Sequence, residues 1–125
     1  MSTLKADTIQ STSGGAATLT KQQAAKAWVN LNGSSFGIRD SFGISSADDD
    51  GSGDYGINFT SSFSDGNYSV TQCASFDGGT GAQGRYLSAP QGNMTTSELE
   101  FIGTYDYNAS QDVEFAFLQL MGDLA

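Results

Sequence analysis

Histidine is absent from this chain of 125 residues, which contains a single cysteine and a single proline. Without histidine the commonest general base of enzymes is missing, so neither Cys73 nor any serine has an imidazole to activate it. A single cysteine cannot form an intrachain disulfide, and the Cys/His spacings of zinc sites cannot be met. These absences argue against a serine or cysteine hydrolase and a zinc site. We expect Cys73 to pack as a small hydrophobic side chain.

Basic residues are also scarce, with 5 Lys and Arg against 14 Asp and Glu and a formal charge of −9. This charge repels nucleic acids and anionic membranes, so we expect neither as a partner. It is consistent with simple solubility or with a cationic partner. No stretch approaches the ~20 apolar residues of a membrane span, and the N-terminus lacks the hydrophobic run of a secretion signal. We therefore expect no membrane insertion and synthesis in a cytoplasm.

Glycine is abundant, with 16 residues, whereas only 38% of the chain is hydrophobic. This composition favours short strands joined by tight turns. The length suits one compact domain, and the small apolar content favours stabilisation by self-association. We expect an oligomer.

The first 28 residues differ from the rest. Residues 3–10 are typical of a short extended segment, and a glycine-containing stretch follows, so we interpret residues 1–19 as an arm. The run from Thr20 to Trp28 predicts a short helix, because Thr20 and Gln23 match a capping box and alanines follow. Trp28 could serve as a platform on which sugars stack, but we favour it as an anchor that packs this helix against a sheet.

From Gly33 onward, hydrophobic residues recur with a period of two, which predicts strands. Residues 36–44 predict a half-buried strand that pairs as a hairpin with residues 55–59 across an acidic glycine turn at 48–53. Further alternating runs begin at Tyr68, Leu99 and Val113. The alternating sets are Phe36, Ile38, Phe42 and Ile44; Tyr55, Ile57 and Phe59; Tyr68, Val70, Gln72, Ala74 and Phe76; Leu99, Phe101, Gly103 and Tyr105; Val113, Phe115, Phe117, Gln119 and Met121. Residues 20–125 thus predict a small, all-β, antiparallel sandwich of the jelly-roll-like kind, with Cys73 on the face opposite Val70.

Four motifs in this order resemble a recurring pattern in tail-fibre proteins of marine and other tailed bacteriophages. Residues 26–33 read KAWVNLNG, residues 38–42 read IRDSF, residues 53–60 read GDYGINFT and residues 67–70 read NYSV. Ahead of them, residues 4–10 read LKADTIQ, which is similar to a segment that often precedes this domain in phage fibres. The resemblance covers about residues 20–70.

The resemblance implies a virion component of the phage tail, made in the host cytoplasm and usually homotrimeric. Its distal β-domain would contact a glycan or an outer-membrane protein of the host, while the arm docks on other tail or virion proteins. We therefore expect a non-catalytic receptor-binding protein without cofactors. One alternative is a structural protein, such as a capsid decoration, a head fibre or a tail adaptor. Another is a glycan-cleaving tail spike. Paired carboxylates such as Glu98 and Glu100, two residues apart on one strand face, could serve such a reaction, but we favour a solvated strand face there.

Receptor binding favours exposed loops that carry aromatic, amide and basic side chains. Two regions meet this description, namely the end of the glycine-rich loop at residues 77–86 and the turn near residue 107. The candidate receptor-binding residues are Arg85, Tyr86, Tyr105, Tyr107, Asn108 and Gln111. Asp48, Asp50 and Asp54 could offer oxygen ligands to calcium, but their spacing fails the EF-hand pattern, and we favour a hairpin turn there without a metal.

Overall fold

The computed structural model describes residues 12–13, 25–75, 85–105 and 109–125, apart from the side chains of Tyr105 and Ala109. Within them the chain forms nine β-strands and one short 3-10 helix, Gln91–Asn93. The strands are β1 (Ala27–Asn32), β2 (Gly37–Phe42), β3 (Ile44–Gly51), β4 (Asp54–Phe59), β5 (Ser69–Ser75), β6 (Arg85–Ser88), β7 (Glu98–Tyr105), β8 (Ala109–Ser110) and β9 (Phe115–Met121). In the part of the chain described, no helix is long and apolar enough to span a membrane.

The strands form two antiparallel sheets. The four-stranded sheet has the order β2-β1-β9-β5, and the five-stranded sheet has the order β3-β4-β7-β6, with β8 paired to β7. This architecture confirms the prediction of a small all-β antiparallel sandwich.

The core lies between the sheets and is built mainly from alternate residues of β1, β4, β7 and β9. Because successive side chains of a strand point to opposite faces, one residue in two is buried. The buried hydrophobic residues are Ala27, Val29, Leu31, Tyr55, Ile57, Phe59, Phe63, Tyr68, Leu87, Leu99, Phe101, Val113, Ala116, Leu118 and Leu120. Removing this apolar surface from water is the main contribution to the stability of the sandwich.

The prediction of a helix ending at Trp28 is wrong at its C-terminal end, because Ala27 and Trp28 belong to β1. Buried Ala27, Val29 and Leu31 alternate with less buried neighbours. This alternation lets β1 occupy the sheet between β2 and β9, and that packing outweighs the helix propensity of the preceding alanines. The rest of the predicted helix, residues 20–24, and the arm at 1–19, apart from residues 12–13, lie outside the described residues.

The predicted strand over residues 36–44 is divided between the two sheets. Gly43 has φ +70, so β2 ends at Phe42 and β3 begins at Ile44 in the other sheet. A Cβ atom at Gly43 would lie 2.6 Å from the Lys26 carbonyl oxygen, so the corner requires glycine. The predicted hairpin exists between β3 and β4, but its turn is shorter than expected, because residues 48–51 belong to β3.

In β9 the buried face is not the one that carries the aromatic residues, although the sequence pattern predicts that the aromatic residues face the core. Ala116, Leu118 and Leu120 are buried, whereas Phe117 is 39% exposed. In β7, by contrast, Leu99 and Phe101 are buried as predicted. Phe117 therefore lies on the outer surface of the sandwich.

Candidate functional site

The sequence-predicted receptor-binding residues are brought together only in part. Arg85 and Gln111 meet at one edge of the five-stranded sheet, where the Arg85 guanidinium donates a hydrogen bond to the Gln111 Oε1. Tyr86 follows Arg85 in β6 and is 43% exposed. The backbone of Tyr105 pairs with that of Arg85 in the β6–β7 register. The side chain of Tyr105, the residues Tyr107 and Asn108, and the loop at 77–84 lie outside the described residues.

The acidic residues considered for calcium lie along the β3–β4 hairpin. Asp48, Asp50 and Asp54 are exposed, and Asp48 accepts a hydrogen bond from the Asn58 side-chain amide. The first two belong to β3 and not to the turn where we expected them. Among the described residues, no three carboxylate or thiol side chains converge to hold a metal ion.

The outer face of the four-stranded sheet carries a regular array of aromatic and amide side chains. Trp28 in β1 pairs with Gln119 in β9, and Asn30 pairs with Phe117. Residues directly opposite each other in an antiparallel pair share a face, so Trp28 and Phe117 are diagonal neighbours, ~7–8 Å apart. On the far side of β9, Gln119 pairs with Thr71, and Phe117 pairs with Cys73.

These side chains line an open groove with a volume of about 480 Å³, within the range that ligand pockets occupy. We call it the aromatic groove and define it by its six outward-facing residues: Trp28, Asn30, Thr71, Cys73, Phe117 and Gln119. Neighbouring strands are ~4.8 Å apart, so the groove extends ~10 Å across β1, β9 and β5.

Two sequence interpretations are corrected by this groove. Trp28 is not an anchor between a helix and a sheet, because it is half-buried on the outer face of β1. Cys73 is exposed and is not packed as a small hydrophobic residue, although it does lie on the predicted face. The chain's only tryptophan and its only cysteine therefore line the same groove.

The polar lining of the groove is uncharged, because no described residue that lines it is acidic or basic. Its Asn30 Oδ1 atom is buried and has no hydrogen-bond partner among the described residues. A buried acceptor left unpaired costs ~1–3 kcal/mol, so turning this amide towards a hydrogen-bond donor would be favourable.

Next to the groove, an arginine covers a further aromatic ring. The Arg39 guanidinium lies 4.1 Å from the centre of the Phe115 ring and donates a 2.6 Å hydrogen bond to the Glu114 carbonyl oxygen. Phe115 stacks on Phe117, with ring centres 6.0 Å apart. The face of the Phe115 ring is thus covered by the Arg39 cation, whereas the Phe117 ring makes no cation–π contact with any described residue.

A second cavity, with a volume of about 500 Å³, opens beside Phe63 and Tyr68. Both rings are buried, and the Tyr68 hydroxyl donates to the Glu98 carbonyl oxygen at 3.2 Å. Burial is the main reason that the pKa of Tyr68 is raised to about 12. The cavity presents the side chains of Asp65 and Asp123 and no exposed aromatic ring of the described residues.

No protein-family model, no curated protein and no solved structure matches this chain. The functional interpretation therefore rests on the residues of the site and on the motif resemblance. Sequence reasoning missed the aromatic groove, although one signal for it was present. Trp28 shares its parity with Asn30 and Asn32, and that alternation already places the tryptophan on the polar face of a strand.

Proposed function

We propose that this chain is the host-recognition protein of a bacteriophage tail fibre, and that it attaches to the bacterial surface through the aromatic groove without catalysing a reaction. The motif resemblance over residues 20–70 supports a place in the phage tail. The observation that carries the proposal is the groove itself, in which the half-buried Trp28 and the exposed Phe117 lie beside uncharged amides on a sheet face.

An exposed aromatic groove on a small soluble domain favours a binding role. Tryptophan and phenylalanine contribute large contact areas, and their burial against a partner drives association. In the aromatic groove these rings extend from the middle strands β1 and β9, whose opposite faces are fixed by buried Val29 and Leu118. A site on rigid strands loses little conformational entropy when it binds.

Attachment also makes fewer chemical demands than cleavage does. A glycan-cleaving enzyme of the usual kind needs two carboxylates that flank the bond to be broken. Glu98 and Glu100 share the outer face of β7, where they pair with Asn58 and Gly56 on the opposite side of the sandwich from the groove. The groove itself offers stacking and hydrogen bonding only.

The edge strand β2 favours self-association of the fibre. Phe42 is 59% exposed and Ile38 is 38% exposed on this strand, which among the described strands has only β1 as a neighbour in the sheet. Exposed apolar residues on an edge strand promote contact with another chain. We propose that β2 contacts another copy in a homotrimer. This edge strand would serve equally in a capsid decoration protein, in which loss of the groove would leave adsorption unchanged.

Binding of the purified, fluorescently labelled protein to a panel of bacterial strains, measured by flow cytometry, tests the proposal. We expect wild-type protein to bind at least one strain and to inhibit phage adsorption to it. Trp28→Ala and Phe117→Ala should each reduce cell binding about tenfold. Phe36→Ala is the matched control, because Phe36 is 38% exposed but stacks on Tyr55, outside the groove.

The variant Arg85→Ala distinguishes binding through the aromatic groove from binding through the Arg85–Gln111 edge, which carries residues predicted from the sequence. If Arg85→Ala abolishes cell binding while Trp28→Ala retains it, recognition takes place at the Arg85–Gln111 edge and the aromatic groove is not the attachment site. Failure of wild-type protein to bind any strain would contradict the attachment function itself.

A further inference from the structure

We infer that the ligand of the aromatic groove is a neutral, hydroxyl-rich carbohydrate of the bacterial surface. The inference rests on the proposed attachment function and goes further by naming the chemical class of the ligand. It follows from three properties of the groove: the alternation of its aromatic and amide side chains, the unpaired oxygen of Asn30 and the absence of charge in its described lining.

The positions of the two aromatic residues suit stacking against sugar rings. Trp28 and Phe117 lie on adjacent strands as diagonal neighbours, whose Cα atoms are ~7–8 Å apart in a sheet. The C–H face of a pyranose ring is apolar and packs against an aromatic face, whereas the edge of the sugar carries hydroxyl groups. A sugar bound over either ring would place those hydroxyls beside the Gln119 and Asn30 side chains, which are the cross-strand partners of Trp28 and Phe117.

Asn30 supplies the most specific feature of the groove. Its side chain lies beside both rings, two residues after Trp28 and opposite Phe117 in the strand register. Its Oδ1 atom is buried and lacks a hydrogen-bond partner in the described part of the chain, so it gains a donor when the side chain turns outward to accept a hydrogen bond from the hydroxyl of a stacked sugar. A hydroxyl both donates and accepts hydrogen bonds, so it can bond to Asn30 and also accept from an amide such as that of Gln119.

The charge of the chain favours a neutral ligand. The formal charge is −9, and no described residue in the groove lining is basic. Uronic acids, sialic acids and phosphorylated sugars are bound through arginine or lysine, and a net negative field repels them. An acidic glycan would therefore bind more weakly than a neutral one of the same length.

A protein partner fits the groove less well. The centre of a protein–protein interface is fully desolvated, and its polar atoms need partners there. A largely apolar patch of a second copy placed over the groove would bury the amides of Asn30 and Gln119 without donors or acceptors. Amides interleaved with rings, with no aliphatic side chain among the six outward-facing residues, suit hydroxyl groups better.

The fluorescence of Trp28 provides a direct test, because Trp28 is the only tryptophan in the chain. Envelope polysaccharide from a strain that the protein binds would be separated into neutral and acidic fractions by anion exchange and titrated into the full-length protein. We expect the neutral fraction to change the intensity and wavelength of Trp28 emission with at least tenfold higher affinity than the acidic fraction. Periodate treatment, which cleaves vicinal diols, should abolish the effect.

Variants that retain Trp28 as the reporter make the test specific. Phe117→Ala and Asn30→Ala should each weaken binding of the neutral fraction about tenfold, whereas Phe36→Ala should leave it unchanged. Thermal unfolding of each variant shows whether the protein remains folded.

The inference and the proposed function can fail separately. If wild-type protein binds cells but only the acidic fraction or an outer-membrane protein changes Trp28 emission, the inference is wrong and the attachment function stands. The inference is also wrong if the unliganded protein shows the emission of a fully buried Trp28 that becomes exposed on dilution, because the groove would then be an interface between copies. If no strain is bound, the attachment function and the inference that rests on it both fail.

Discussion

At the scale of single residues, Asp112 connects distant parts of the sandwich through one carboxylate oxygen. Asp112 Oδ1 accepts a 2.7 Å hydrogen bond from the Gly53 amide and a 3.2 Å hydrogen bond from the Tyr55 hydroxyl. The Tyr55 hydroxyl oxygen in turn accepts from the Val113 amide at 3.2 Å. These hydrogen bonds connect the β3–β4 turn to the segment that precedes β9.

Asp112→Ala should therefore destabilise the protein. Removing the carboxylate leaves the Gly53 amide and the Tyr55 hydroxyl without their acceptor, which should lower the free energy of unfolding by ~1–3 kcal/mol in urea denaturation. Asp112→Asn keeps the Oδ1 atom and should retain more of the stability. Asp50→Ala, at an exposed position, is the control and should change stability by less than ~0.5 kcal/mol. Equal losses for Asp112→Ala and Asp50→Ala would contradict the role of the network.

The buried tyrosines predict a loss of stability at alkaline pH. Burial is the main cause that raises the pKa of Tyr55 and Tyr68 to about 12, with the negative charges of Asp112 and Glu98 adding to it. The unfolded chain releases these protons near pH 10. Both tyrosines therefore stabilise the fold fully below about pH 10, and this stabilisation is lost as the pH rises towards about 12.

We expect the urea midpoint to fall steeply between pH 10 and 12. The comparison with Tyr68→Phe isolates the tyrosine contribution to this change. Tyr68→Phe should be less stable than wild type at pH 8, yet it should lose less stability between pH 10 and 12. A wild-type midpoint that does not change up to pH 12 would contradict the burial of these hydroxyls.

At the scale of elements, the corner at Gly43 transfers the chain from one sheet to the other. Gly43→Ala should destabilise the sandwich by at least ~2 kcal/mol, because a side chain at φ +70 is strained and its Cβ would clash with the Lys26 carbonyl. Gly92→Ala is the matched control, since a Cβ there would meet nothing within 4 Å. Thermal and urea unfolding measure both variants. A Gly43→Ala protein as stable as Gly92→Ala would mean that this corner does not constrain the fold.

The elements also show what the sequence can and cannot predict. The prediction of which residues face inward in β4 and β7 is confirmed, because large hydrophobic side chains such as Ile57 and Leu99 are buried in the core. In β9 the prediction fails, because the aromatic residues lie on the outer face and the smaller Ala116 faces inward. Periodicity identifies a strand with two distinct faces, but the partner sheet decides which face is buried.

The candidate site was less predictable than the fold, for the same reason. Arg85 and Gln111 are far apart in sequence and were placed in two separate regions, so the sequence did not predict their contact in the structure. The aromatic groove depends on the register of β1, β9 and β5, which brings Trp28, Phe117 and Cys73 together from three distant segments. No local pattern encodes that register, because it is set by long-range strand pairing.

At the scale of the whole molecule, the two outer faces of the sandwich differ in character. The four-stranded sheet presents the aromatic groove, whereas the five-stranded sheet presents acidic side chains, namely Asp48, Asp54, Glu98 and Glu100. The acidic face keeps the domain soluble and repels like-charged surfaces. The uncharged groove is therefore the face better suited to approach a negatively charged bacterial envelope.

Self-association is the second property expected of the whole molecule. Size-exclusion chromatography with light scattering should give a mass of about 39 kDa, which is three times the 13.0 kDa chain. Phe42→Asp, which places a charge on the exposed edge strand β2, should shift the mass towards the monomer without unfolding the chain. A wild-type monomer that persists at micromolar concentration would contradict the trimer and would favour an adaptor or decoration subunit.

The alkylation rate of Cys73 shows whether the aromatic groove is covered when the protein attaches to a cell, because this exposed residue is the only cysteine and lies in the groove next to Phe117. The reaction with iodoacetamide would be followed by mass spectrometry on free protein and on protein bound to cells of a recognised strain. If the groove is the attachment site, cell-bound protein should react at least tenfold more slowly than free protein. Equal rates for bound and free protein would show that the groove stays open during attachment and would contradict the claim.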